Sequence, residues 1–158
     1  MSEVGRFERK DPPDQEMSDA HVHRSEAGRL QMELDAPRIV QFRQPEVQTH
    51  YPKGVSLRFF AEDGSLRTTL RADKAVQFDD KNIVEAEGNV VVIDYTSGDT
   101  IYLEKLVWRT DEDLLYSNKP VKAVRKGSVT YGDGFTSDGN MSNLRVIRQR
   151  GTIEIDEE

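Results

Sequence analysis

Three segments of the chain share one spacing. Leu34-Asp35-Ala36-Pro37-Arg38-Ile39, Leu70-Arg71-Ala72-Asp73-Lys74-Ala75 and Ile101-Tyr102-Leu103-Glu104-Lys105-Leu106 each carry an apolar or small residue at a first position, two later and five later. Alternate residues of a strand share a face, so the step of two is strand-like, and the odd step after it needs one extra residue to regain that face. A recurrent β-bulge is the simplest reading. A second pattern repeats beside it: Val84, Ala86, Gly88, Val90 and Val92 correspond to Leu115, Ser117, Lys119, Val121 and Ala123, then to Ile147, Gln149, Gly151, Ile153 and Ile155. Even a turn recurs, since Glu26-Ala27-Gly28-Arg29-Leu30 reads like Glu62-Asp63-Gly64-Ser65-Leu66. Periods of this length mark stacked units that bury an apolar face only against their neighbours.

The rest of the chain agrees with a thin, repetitive β structure. At 158 residues it amounts to one domain, and 35% hydrophobic against 32% charged residues is a lean core for that length. A net charge of -7, with no basic stretch longer than Arg148-Gln149-Arg150, sets nucleic acid aside, because such binding rests on Lys and Arg displacing counterions from phosphate. The absence of cysteine removes disulfides, zinc-thiolate sites and thiol nucleophiles. The longest aliphatic run, Val90-Val91-Val92-Ile93, is far below the ~20 residues of a membrane span and the ~7 to 15 of a signal-peptide core. The opening Met1-Ser2-Glu3 and the charged stretch after it suit a cytosolic protein or a chain trimmed of its leader.

Residues 1–17 include Asp11-Pro12-Pro13-Asp14 and few large apolar side chains, which predicts a flexible tail ahead of a single domain at 18–156. From Ala20 the alternation of Ala20 and Val22, a turn near Gly28, then Leu30, Met32 and Leu34 is hairpin logic. Pro37, Pro45 and Pro52 interrupt the next stretch, and proline lacks a ladder amide, so residues 41–53 are expected along an edge or at a bend. Strands are expected from Val55 and at about 66–78, 83–95, 101–109, 114–124, 128–136 and 144–155, with 83–95 the longest. No segment keeps a helical period, and the short turns call for antiparallel pairing.

No chemical motif stands out. His21 and His23 share a strand face at a spacing metals can use, yet no carboxylate is tied to them in sequence, so a solvent-facing pair and no metal are expected. Residues 132–140 suggest a calcium loop, but Gly134 and Thr136 occupy ligand positions, and two tight turns around a short strand explain the glycines and aspartates. There is no nucleophile elbow, phosphate-cradling loop or nucleophile with its base, and no nominated carboxylate pair, so no enzyme is expected. The aromatic residues fall on or beside the apolar columns, which suits packing, and Gly88 in its column suits a bend.

Taken in order, Tyr51-Pro52-Lys53-Gly54-Val55, Leu70-Arg71-Ala72-Asp73-Lys74-Ala75, Glu87-Gly88-Asn89-Val90-Val91-Val92, Gly98-Asp99-Thr100-Ile101, Glu104-Lys105-Leu106-Val107-Trp108, Tyr116-Ser117-Asn118-Lys119-Pro120-Val121 and Gly132-Asp133-Gly134-Phe135-Thr136-Ser137-Asp138 resemble the motifs of the lipopolysaccharide-export family LptC, over about residues 20–155. The wider group holds LptA and the organic-solvent-tolerance domains, and the likeness is greatest to the Bacteroidetes branch. The resemblance implies an all-β, antiparallel β-jellyroll in the form of an open, twisted boat. It implies a periplasmic protein held at the inner membrane through an N-terminal anchor missing from this chain. It also implies lipopolysaccharide as ligand, an inner-membrane ABC transporter as partner at the N-terminal edge and an LptA-like bridge added strand to strand at the C-terminal edge.

If the apolar columns line a gap between layers that never close, acyl chains take the place of core side chains. At ~0.8 kcal/mol per buried methylene, one 12-carbon chain gains on the order of 10 kcal/mol before ordering costs. The groove residues expected on this reading are Leu70, Ala72, Ala75, Phe78, Val84, Ala86, Val90, Val92, Leu103, Leu106, Trp108, Val121, Phe135 and Met141, about a third of them turned outward by the bulge. Headgroup contact is expected at a rim reached by Arg67, Arg71 or Lys74. The competing readings are an LptA-like soluble bridge, or a β scaffold with a self-packed interior that joins partners without lipid.

Overall fold

A computed structural model describes residues 13–139 and 141–154. Among them the chain forms one 14-stranded sheet, and the only helical turn is a 3-10 turn at Asp79–Lys81. The strands are β1 (Gln15–Glu26), β2 (Arg29–Phe42), β3 (Gln48–Tyr51), β4 (Val55–Phe60), β5 (Leu66–Ala72), β6 (Lys74–Phe78), β7 (Ile83–Asp94), β8 (Asp99–Arg109), β9 (Leu114–Ser117), β10 (Val121–Arg125), β11 (Ser128–Gly132), β12 (Gly134–Asp138), β13 (Arg145–Ile147) and β14 (Gly151–Glu154). The longest is β2 rather than β7. Every ladder is antiparallel.

The register shows how one sheet makes two layers. The first half of β2 pairs with β4 and its end pairs with β3; the start of β7 pairs with β6 and its end with β5; the start of β8 pairs with β10 and its end with β9. Each long strand therefore leaves one layer and enters the other. The remaining strands do the same across a break: Asp73 alone separates β5 from β6, and Asp133 alone separates β11 from β12. One layer holds β4, β5, β10, β11 and β14 and the other β3, β6, β9, β12 and β13, with β1, β2, β7 and β8 shared. This is the expected open, jellyroll-like β fold, its strands adjacent in chain order.

The crossing points are the repeated spacing seen in the sequence. In β7 and β8, Glu87 faces Lys105 and Val90 faces Leu103, so Gly88 and Asn89 together oppose Glu104. The doubled residue belongs to β7 and β8 crosses with one residue fewer, so Ala86 and Val90, four apart, face Leu106 and Leu103, three apart, and both leucines reach the interior, Leu103 at 3% and Leu106 at 2% exposure. Gly88 and Asn89 both have positive φ, 85° and 46°. The kinks of neighbouring strands are also tied: the Asp73 amide donates to the Gly88 carbonyl at 2.9 Å, and Asn89 Nδ2 donates to Asp73 Oδ2 at 2.8 Å. The other glycine of that column differs, because a methyl group at Gly151 would meet nothing.

Three expectations change here. β3 lies between β2 and β6 with all four residues buried, so residues 48–51 are interior, and Pro45 and Pro52 flank the strand instead of interrupting it. The first of the two tight turns expected around β12 is a kink at Asp133, with no reversal. Gln15 to Met17 already pair with β2, which starts the ordered sheet before residue 18. The tail expected at residues 1–12, and residues 155 and 156 of the expected domain, lie outside the described residues.

Inward-facing side chains form cross-strand rows. One runs Leu34, Leu57, Leu70, Val92, Ile101 and Ala123 through six strands of the first layer. In the second layer Tyr51, Ala75, Ala86 and Leu106 make another, and Gln77, Val84, Trp108 and Leu115 a third. Cross-strand contacts of this kind stabilise a sheet pair by pair, and each large side chain adds its own burial.

The kink carries a prediction. A methyl at Gly88 would lie 3.0 Å from Asp73 Cβ and Oδ2 at a φ only glycine adopts freely, whereas at Gly98 (φ +82°) it would meet nothing. Gly88→Ala is therefore expected to lower stability by about 2 kcal/mol and Gly98→Ala by about 1, read from urea midpoints. Equal losses would show that the packed bend adds nothing beyond the strain of the dihedral.

Candidate functional site

Towards the N-terminal half the two layers leave a cavity of about 290 Å³ between them. Its first wall comes from β2, β4 and β5 with Met32, Leu34, Val55, Leu57 and Leu70, closed at the side by Val22 of β1. The facing wall comes from β3 and β6 to β9 with Tyr51, Ala75, Val84, Ala86, Trp108 and Leu115, and with Leu106 at the bend. Polar groups come from Arg24, Gln77 and Thr110 and from the Tyr51 hydroxyl. Ala75 and Ala86 face each other across β6 and β7, and two alanines at the centre of one wall leave room that larger residues would fill. A volume near 300 Å³, concave and mostly apolar, is at the lower end for small-molecule sites.

Tyr51 is the wall's one phenol. Burial first, and the charge of Asp79 second, push its pKa above the ordinary 10.0. It therefore stays neutral and offers a hydroxyl in a mostly apolar space.

Of the groove residues expected from the sequence, Leu70, Ala75, Val84, Ala86, Leu106 and Trp108 line this cavity. Ala72, Val90, Val92, Leu103, Val121 and Phe135 occupy inward-facing positions but are consumed in packing, each no more than 3% exposed. Met141 is buried in the turn after β12, where its carbonyl accepts from Thr68 Oγ1 of the opposite layer at 3.1 Å. Phe78 is the exception. It has the parity of Val76, opposite to Ala75 and Gln77, so it projects from the outer face and pairs in register with Gln48 and Ile83. One residue of fourteen is turned outward where about a third were expected.

The expected headgroup contacts move as well. Arg67 and Arg71 alternate with the inward-facing Thr68, Leu70 and Ala72, and Lys74 has the parity of Val76, so all three leave the outer faces of the layers. They do not rim the cavity. The residues missed were Val22, Met32, Leu34, Tyr51, Val55 and Leu57 of β1 to β4, Leu115 of β9, and the polar Arg24, Gln77 and Thr110. Their signal was present as the alternations Met32-Leu34 and Val55-Leu57, and Leu34 and Leu115 each stand in a copy of the repeated patterns.

Elsewhere, His21 Nδ1 lies 2.6 Å from Asp35 Oδ1, and Nε2 lies 3.6 Å from Glu33 Oε2. The histidine thus has carboxylate partners, from the facing strand β2, that sequence proximity did not reveal. Among the described residues no group of three or more His, Asp or Glu side chains converges as a metal set. In the supposed calcium loop the Asp138 carboxylate is taken by Ser142 Oγ at 3.2 Å and Asn143 Nδ2 at 2.7 Å, which closes the turn.

Fold and cavity together define a class: open antiparallel sheets whose layers keep an apolar space between them. Residues 6–154 match the sequence model described as lipopolysaccharide-assembly, LptC-related, and the chain belongs to that LptC family. The family is a non-catalytic component of lipopolysaccharide transport, periplasmic and associated with the inner membrane. Involvement in lipopolysaccharide transport follows for this chain. No curated protein matches it in sequence. Among the described residues no helix is long and apolar enough to cross a membrane.

Tyr51 yields a prediction with a definite sign. Between the ordinary phenol value and the raised one, the unfolded chain has lost its proton and the folded chain has kept it, so stability falls as pH rises through that window. Tyr51→Phe is expected to flatten the alkaline fall of the urea midpoint between about pH 9 and 11 while changing little at pH 7. Parallel curves for the two proteins would show that Tyr51 does not carry the effect.

Proposed function

We propose that this chain is a non-catalytic lipopolysaccharide-binding adapter, which shelters acyl chains between its layers. It receives them from an inner-membrane ABC transporter at one edge and passes them to an LptA-like bridge at the other. The observation that carries the reading is the apolar cavity between the layers. Side chains that would fill it in a closed sandwich are alanines, and a methylene chain entering there exchanges water for Leu, Val and Trp surface.

The ends of the sheet support the partner assignment. β1 pairs only with β2, while β13 and β14 pair only with β12 and β11, so strands at both ends present an unpaired side to another chain. Because the strands follow chain order, the first free edge belongs to the N-terminal side and the second to the C-terminal side. On this reading inner-membrane attachment acts from the N-terminal side, and direction of travel comes from the transporter.

Trp108, the single tryptophan, lies in the cavity wall and reports on its occupancy. Titration with a 12-carbon fatty acid or an acylated disaccharide is expected to change its emission. Ala86→Phe, which fills the space, is expected to weaken binding about tenfold or more with a stability change within about 1 kcal/mol. Undiminished binding by that variant, or none by the parent protein purified from an envelope, would favour a scaffold that carries no lipid. A photo-crosslinker at Ser18 of β1 is expected to capture the transporter, and one at Ile147 of β13 the bridge protein; the opposite pattern reverses the edges.

A further inference from the structure

The interior changes character along the sheet. At the mouth of the first layer one row of paired positions runs Met32, Phe59, Thr68, Asp94, Asp99 and then Arg125, turning from apolar to charged between β5 and β8. One row deeper, Ile101 and Ala123 keep the floor apolar. Around the charged end the layers leave a second, larger cavity of about 500 Å³, with Asp94, Asp99, Arg125, Ser128, Arg145 and Gln149 at its polar surface and Leu144 and Val146 of the other layer facing them. Between the two cavities the layers touch: Thr68 holds the Met141 carbonyl, and Val92, Phe135 and Met141 are at most 1% exposed.

We propose that this second cavity binds a hydroxylated sugar carrying phosphate, so that the interior holds tails in one compartment and a headgroup in the other. The tail half rests on the lipid-carrying reading above. The side chains present define the ligand chemistry. Arg125 gives two of its five N–H groups to Asp99, Nε to Oδ1 at 2.6 Å and Nη2 to Oδ2 at 3.0 Å, which fixes the guanidinium plane and leaves donors for a phosphate. Arg145 makes no ion pair with a described residue and adds a second fork at the rim. Ser128, Thr130 and Gln149 donate and accept as sugar hydroxyls require, and the Asp94 and Asp99 carboxylates accept from them. Two arginines against two aspartates leave no net charge to concentrate a bare anion. A polyol with one or two phosphates uses both signs, and an acyl chain uses neither.

The test compares four probes by calorimetric titration: an acylated, phosphorylated disaccharide, its dephosphorylated form, its deacylated form, and a 12-carbon fatty acid. The double variant Arg125→Gln/Arg145→Gln is expected to bind the first about tenfold more weakly while holding the dephosphorylated lipid and the fatty acid within twofold. Should the double variant fail to fold, Arg145→Gln alone is expected to show a smaller loss of the same selectivity. If the deacylated phosphosugar binds and the variant loses it, the cavity takes the sugar unaided. If it does not bind but the phosphate-selective loss remains, the headgroup enters only with its tails. Loss that is equal for all probes, or absent for the phosphorylated one, overturns the proposal. A parent protein that fails with fatty acid yet keeps phosphate-selective sugar binding refutes the tail reading alone.

Discussion

The bend in the middle of each strand is the constraint on which the rest depends. A flat antiparallel sheet of this many strands has two faces to cover and too little apolar composition to do it. Folding every strand at the same level turns half of one face against the other half, so one set of inward residues serves both walls. The device at each bend is local: a doubled residue in β7, a single linking residue at Asp73 or Asp133, and hydrogen bonds from one bend to the next. Without the doubled residue in β7 its register against β8 would slip by one beyond the bend, and apolar side chains of one layer would meet solvent.

The same bend explains why the interior is unevenly filled. Near the fold line the walls converge, and Val90, Leu103 and Val121 pack to at most 3% exposure. Away from it the walls diverge, and filling depends on side-chain size. Phe59, Phe135 and Met141 bridge the middle, whereas alanines at 75 and 86 and the polar row from Asp94 to Arg125 leave space on either side. An unfilled apolar space costs a protein dispersion contacts. A passenger that supplies those contacts offsets the loss, which links the lean composition to carriage rather than to weak folding.

Much of this was legible in the chain because the repeat is physical. Spacing of two then three residues at 34, 70 and 101 identified the crossing points, and alternation elsewhere gave strand parity well enough to place twelve of the fourteen candidate residues on inward-facing positions. Phe78 was misread because parity was carried across from Ala75 without counting: three residues in an unbroken strand reverse the face. His21 and its carboxylates, and the interior position of β3, were hidden because they depend on which strands pair, which no local pattern specifies. An apolar gap was expected, but its size and the second, charged cavity were not legible, since volume depends on how far apart the walls stand.

Because the short strands stop at the fold line and only the long ones, β1, β2, β7 and β8, cross it, the angle between the layers is set by dihedrals at the bends and by the contacts that span the gap. Like a book on its spine, the molecule widens by turning at one line while its pages stay intact. Apart from side-chain packing, the described clasp between the pages is the Thr68 hydroxyl on the Met141 carbonyl. Admitting a bulky guest therefore need not unzip a single strand.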